Sequence, residues 1–167
     1  KNEMLQTLED ALGSWEFGDS VQPPPDVRSA HQPGIYYVDQ DVPQGGVRIG
    51  LRSLRQGDPD FEAATVMNYI LGGGSLASRL GTRVRQKEGL SYGIFSMFGA
   101  GSVNPRGSFT IIAISNPQNS PKVVTSIRDE IDKFLKSGVT PKELAAAQKG
   151  YLQRLKVGRT DDARLAG

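Results

Sequence analysis

Large apolar residues recur along the chain at two spacings, one of every second position and one of every third or fourth. Met4, Leu5, Leu8 and Leu12 keep helical spacing and are closed by Gly13, which predicts a helix over residues 3–13. Ile35–Val38 is a short β-branched and aromatic run, and it predicts a strand. In 47–54, Val47, Ile49 and Leu51 alternate with Arg48, Gly50 and Arg52, the pattern of a second strand with one face turned inward. Asp58-Pro59 then has the form of an N-cap followed by proline in the first turn. Phe61, Ala64, Met67 and Leu71 continue it as a helix up to Gly72-Gly73-Gly74. Leu76, Leu80 and Val84 give a second helix over 76–87, stopped by Gly89.

Residues 90–99 and 107–115 read as two strands joined by a turn at Asn104-Pro105-Arg106-Gly107. Ser120-Pro121 opens a helix whose inward stripe is Val124, Ile127, Ile131 and Leu135. Thr140-Pro141-Lys142-Glu143 is a capping box, and the helix behind it turns Leu144, Ala147, Tyr151 and Leu155 inward. The order is β-β-α-α-β-β-α-α. That order predicts an α+β fold, a largely antiparallel sheet with helices packed on one face, built as a ββαα repeat.

The pattern also divides the chain. Residues 1–17 look like the tail of a preceding domain. Residues 18–33 contain Gln22-Pro23-Pro24-Pro25 and read as a stiff proline-rich linker, and the main domain fills 34–167. The chain starts at Lys1 without a methionine and ends at Gly167 inside a helical pattern, so a piece truncated at its C-terminus is expected. At 167 residues, with 37% hydrophobic residues, there is enough to bury one core.

Composition removes several classes of function. A net charge of +2 without a clustered basic face offers no nucleic-acid footprint. There is no cysteine, which excludes disulfides and thiolate metal sites and leaves the compartment open. No apolar run approaches the roughly 20 residues of a membrane span, and no signal peptide is visible. The single histidine, His31, lies in the linker, so no paired-histidine zinc motif and no positioned base for a nucleophile exist. Gly72-Gly73-Gly74-Ser75 lacks the Lys-Ser/Thr of a phosphate loop and follows a helix rather than a strand, so it is read as a tight connection between helices. The acidic pairs Asp129-Glu130 and Asp161-Asp162 are read as solvated faces.

The stretch from Arg79 to Tyr92 carries the strongest chemical signal. Its basic residues crowd the end of one helix, and a strand begins directly after Gly89. Cations favour a helix C-terminus, which accounts for part of the crowding. The same corner also brings Arg85 and Tyr92 onto adjoining elements, where a guanidinium fork and a phenol can together grip a carbonyl.

Several of these segments, taken in order, resemble the insulinase/pitrilysin family of zinc metallopeptidases, which includes the mitochondrial processing peptidases. They are Tyr37-Val38-Asp39 with Val42-Pro43-Gln44, Asn68-Tyr69-Ile70-Leu71-Gly72-Gly73-Gly74, Ser78-Arg79-Leu80, Val84 to Tyr92, and Pro141-Lys142-Glu143-Leu144. They cover nearly all of 35–160. One departure is Gly81, which stands where many relatives carry a large apolar residue after Ser-Arg-Leu.

The resemblance implies two homologous α+β domains, in one chain or two. One carries the zinc through His-x-x-Glu-His and a distant Glu; that motif is absent here. This chain resembles the other, C-terminal, non-catalytic type, which binds no metal and supplies an Arg/Tyr pair across a shared chamber. By motif the pair falls on Arg85 and Tyr92, as substrate-binding residues. The implied activity is proteolysis as part of a metalloendopeptidase. The partner domain's zinc activates water with its Glu as base, while Arg85 and Tyr92 orient the peptide and stabilise developing charge. The chain alone is expected to be inactive. The alternative is a scaffold subunit of the same family that has lost proteolysis. A bacterial protein of cytoplasm or periplasm fits equally.

Overall fold

The computed structural model describes residues 2–16, 18, 33–101 and 107–161. The chain divides into two units, Lys1–Gln32 and Pro33–Gly167. In the first, the spaced leucines form helix α1, Asn2–Leu12, none of whose residues is buried. Most of the proline-rich linker predicted for 18–33, with His31, lies outside the described residues.

The second unit holds a three-stranded antiparallel sheet in the order β1-β3-β2. Its strands are β1, Gly45–Ser53; β2, Gly93–Gly99; and β3, Gly107–Ser115. β3 is central, with Val47 and Ile94 both opposite Ala113, and Ile49 and Ser96 both opposite Ile111. Those side chains point to one face, as the two-residue period requires. On that face Val47, Ile94, Ile111 and Ala113 join Leu71, Leu80, Val84, Val123 and Ile127 in one core. Each large side chain fully buried there stabilises by about 1.5–3 kcal/mol. The opposite face carries Arg48, Arg52, Phe95 and Met97, all exposed.

Helix α2, Phe61–Asn68, starts two residues later than the Asp58-Pro59 signal suggests. Asp58 is used instead to accept a 2.7 Å hydrogen bond from the Arg55 backbone N–H, which closes a turn. The helix then widens into a π-helical turn, Tyr69–Gly73, and the chain passes through a short 3-10 turn, Ser75–Ala77. A second π-helical turn spans Gly81–Lys87, and Gly89 (φ +63°) ends it in a left-handed conformation that suits glycine. Helix α3 runs Ser120–Ser137 and α4 runs Pro141–Gly158. The capping box at the start of α4 is formed in both directions, Thr140 to Glu143 and back.

The α+β class and the antiparallel sheet are as expected, but several details differ. Ile35–Val38 is not a strand. It has no regular secondary structure and is exposed, Ile35 fully so, because no described strand lies beside it to take its backbone hydrogen bonds. The first ββαα half is therefore short of one strand. Leu51, Leu76, Leu135, Leu144 and Leu155 were expected inside and are exposed. In α3, Val123 rather than Val124 takes the fully buried place. The turn at 104–106 lies outside the described residues.

Candidate functional site

The corner between the second π-helical turn and β2 is fixed by two arginines that sequence reading counted only as part of a basic cluster. Arg79 makes a two-pronged pair with Glu143, Nε to Oε1 at 2.8 Å and Nη2 to Oε2 at 3.0 Å. Its Nη2 also donates to the Gly138 carbonyl at 2.8 Å, and its guanidinium lies 4.7 Å from the centre of the Phe134 ring. Arg79 thus ties this corner to the connection between α3 and α4. The Arg79 guanidinium, with the Thr140 backbone N–H, holds the Glu143 carboxyl down at about 2.

Arg83, four residues on, faces α3. It donates to Glu88 at 3.0 Å and to Asp129 at 3.1 Å, and lies 3.5 Å from Glu130. Glu130 is only 5% exposed, so the expectation of a solvated Asp129-Glu130 pair is corrected. A carboxylate can be buried there because a guanidinium stands against it. The hydrogen bond that Arg83 donates to Glu88 raises the Arg83 pKa further, against the effect of burial. For Glu88, burial pushes the pKa up, but hydrogen bonds from Ser126 and Arg83 outweigh it and leave it lowered.

Arg85 lies on the same turn and behaves differently. It is exposed, and among the described residues it makes no ion pair. It borders a groove of about 1080 Å³, larger than most small-molecule cavities, which span roughly 300–1,000 Å³. Six consecutive β2 residues, Gly93–Phe98, line this groove. Successive side chains of a strand point to opposite faces, so a single volume touching all six must lie along the strand's edge. β2 pairs only with β3 among the described residues, so the groove follows its unpaired edge. Backbone N–H and C=O groups on such an edge are free to pair with an extended chain.

The other walls are α2, the first π-helical turn and α4. Here the glycine run has a physical reason. A Cβ on Gly72 would come within 2.5 Å of the Ser96 Oγ and 2.6 Å of its backbone N, so only glycine lets the turn lie against β2. Ser96 donates to the Asn68 side-chain oxygen at 2.7 Å, which fastens the groove floor to the end of α2. Tyr69 meets Tyr151 edge-on at 5.9 Å and so connects α4.

Tyr92 sits one residue before β2. Its backbone N–H donates to the Ile114 carbonyl at 2.8 Å, and its side chain is 66% exposed. It is not part of the groove wall, and no hydrogen bond joins it to Arg85. Two groove residues, Arg154 and Arg159, were not singled out from the sequence. The helix dipole by itself explains a cation at Arg159, the C-cap of α4, and Arg154, before the last turn, has no local signal. Among the described residues no three His, Cys, Asp or Glu side chains are grouped so as to hold a metal ion, so this part of the chain does not fit zinc.

The sequence profile of the family described as "Peptidase M16 inactive domain" matches residues 1–151. An uncharacterized zinc protease of Streptomyces coelicolor is 33% identical over 119 residues, 71% of this chain and 25% of that protein. An uncharacterized zinc protease of Mycobacterium tuberculosis is 28% identical over 131 residues, 78% of this chain and 29% of its own length. The chain thus spans little more than a quarter of the relatives it matches. Among solved structures, the peptidase M16 inactive domain from Pseudomonas fluorescens superposes with a TM-score of 0.62 at 32% identity, covering 66% of this chain and 26% of that one. A protease from Helicobacter pylori shares the fold, with a TM-score of 0.82 at 20% identity over 100% of this chain and 41% of that one.

Proposed function

The chain belongs to the peptidase M16 inactive-domain family, and from that premise we propose that it holds peptide substrates for a zinc metalloendopeptidase whose metal lies in a homologous partner domain. The observation that carries this reading is the position of Arg85, without an ion partner among the described residues, on a groove that follows the open edge of β2. An extended peptide beside that edge gains backbone hydrogen bonds whatever its sequence, which suits a protein that handles many peptides. Arg85 presents a fork of donors to a peptide carbonyl there, and Tyr92, outside the groove wall, offers its exposed hydroxyl to the bound chain beyond it. Both residues orient the bound chain and stabilise charge that grows on it during hydrolysis. The names of the relatives, zinc proteases in each case, support placing the metal in the partner.

The test is reconstitution with a partner bearing the zinc motif and an assay on unstructured peptides. Arg85→Ala and Tyr92→Phe should each lower turnover by about 100-fold, the usual cost of one lost preorganised donor. Zinc content and melting temperature should stay unchanged. Unaltered turnover in both variants would leave the scaffold role as the better account.

A further inference from the structure

We propose that the groove along β2 selects peptide segments in which carboxylate side chains flank large apolar ones, with Arg154 and Arg159 as the residues that read the charge. This rests on the substrate-holding function proposed above and names the class of substrate.

Charge is segregated on this surface. The chain carries 18 acidic and 20 basic residues, so a random stretch of its surface should mix both signs. The groove does not. Its described lining includes Arg85, Arg154 and Arg159 and no Asp or Glu at all. Nor are these guanidiniums occupied elsewhere: among the described residues none of the three is in an ion pair. Arg55, Arg79 and Arg83, by contrast, each have a carboxylate within 4.0 Å.

A helix C-terminus favours a cation and would by itself account for Arg159, the C-cap of α4. It does not account for Arg154, on the helix before its last turn, nor for Arg85 on a different element. Three like charges bordering one concavity repel one another and focus a positive potential into it. Only an anionic occupant relieves that repulsion, and guanidinium takes carboxylates in two-pronged fashion.

The rest of the wall sets the apolar part of the code. Phe95, Met97 and Leu155 are exposed and border the same volume. A segment that pairs with the β2 edge points alternate side chains to opposite faces. Apolar positions would then lie against Phe95 and Met97, and acidic positions nearer α4 would reach Arg154 and Arg159. A small anion is a poorer fit, because it would leave the edge backbone groups and the apolar wall unused.

The experiment uses three fluorescent peptides with one apolar frame, flanked by Glu, by Gln or by Lys. Binding to the full chain is followed by anisotropy at low and at high salt. The Glu peptide should bind about tenfold more tightly than the Gln peptide, the scale of two exposed charge pairs, and salt should narrow the gap. The Lys peptide should bind weakest. The double variant Arg154→Gln/Arg159→Gln should bind the Glu and Gln peptides alike, and Arg→Lys at both sites should keep most of the preference. Equal binding of all three peptides by the unaltered chain would overturn the charge code and leave the groove as a peptide site. Discrimination that survives in the double variant would remove Arg154 and Arg159 from it. If none of the three peptides binds, the substrate-holding function falls too.

Discussion

Two faces of one short helical stretch use the same residue type for opposite purposes. On the inner face, Arg79 and Arg83 are each matched to carboxylates on other elements, down to 2.8 Å. On the groove side, Arg85 has no such partner among the described residues, and across the groove the same holds for Arg154 and Arg159. A paired guanidinium spends its donors on the fold, whereas an unpaired one keeps them for something that arrives later. The comparison teaches that charge count is uninformative in this domain, while charge satisfaction separates structural arginines from those available to a ligand.

The comparison can be broken most forcefully at Arg83. Arg83→Ala leaves Glu130 buried without its cation, and should cost about 3 kcal/mol of stability in urea unfolding. Adding Glu130→Leu should recover a good part of that loss. Next comes the groove floor. Gly72→Ala forces a methyl group against Ser96 and should lower stability by about 1–3 kcal/mol in the same assay.

Glu143→Ala removes the acceptor for Arg79 together with half of the capping box, at a cost of about 1–2 kcal/mol. The acid response of this site has a definite sign. The folded pKa of Glu143 is lowered to about 2 from 4.5, so its stabilisation is present above the unfolded value and is lost as pH falls from about 4.5 towards 2. Thermal melts across that window should show a steeper decline for the unaltered chain than for Glu143→Ala. Smallest of all is Arg85→Ala, which should change stability by less than about 0.5 kcal/mol even while turnover collapses. A large stability loss at Arg85 would erase the distinction between the two faces.

Much of the fold is legible from periodicity. The buried positions Val47, Leu71, Leu80, Val84 and Ile127 all fall on the stripes that spacing predicts. What spacing misses depends on neighbours far along the chain. Ile35–Val38 has every local mark of a strand, but a strand also needs a partner, and propensity cannot supply one. Leu135 keeps the helical interval of α3 yet lies beyond the part of that helix that meets the core. Glu130 reads as a surface acid because its cation lies 47 positions earlier in sequence, on another element. Of the two residues expected to form the site, Arg85 borders the groove and Tyr92 does not. Arg154 and Arg159 could not be seen, because only the packing of α4 against α2 and the first π-helical turn brings them to the same hollow.

The bare run Ile35-Tyr36-Tyr37-Val38 has a practical consequence. Four uncharged, strand-prone residues stand open to solvent, and none of them pairs in a strand among the described residues. Such a run adheres to its like in a neighbouring molecule. In concentrated samples of this chain, self-association is therefore the expected failure well before heat unfolds the core, and dilution, more than cooling, should keep the material monodisperse.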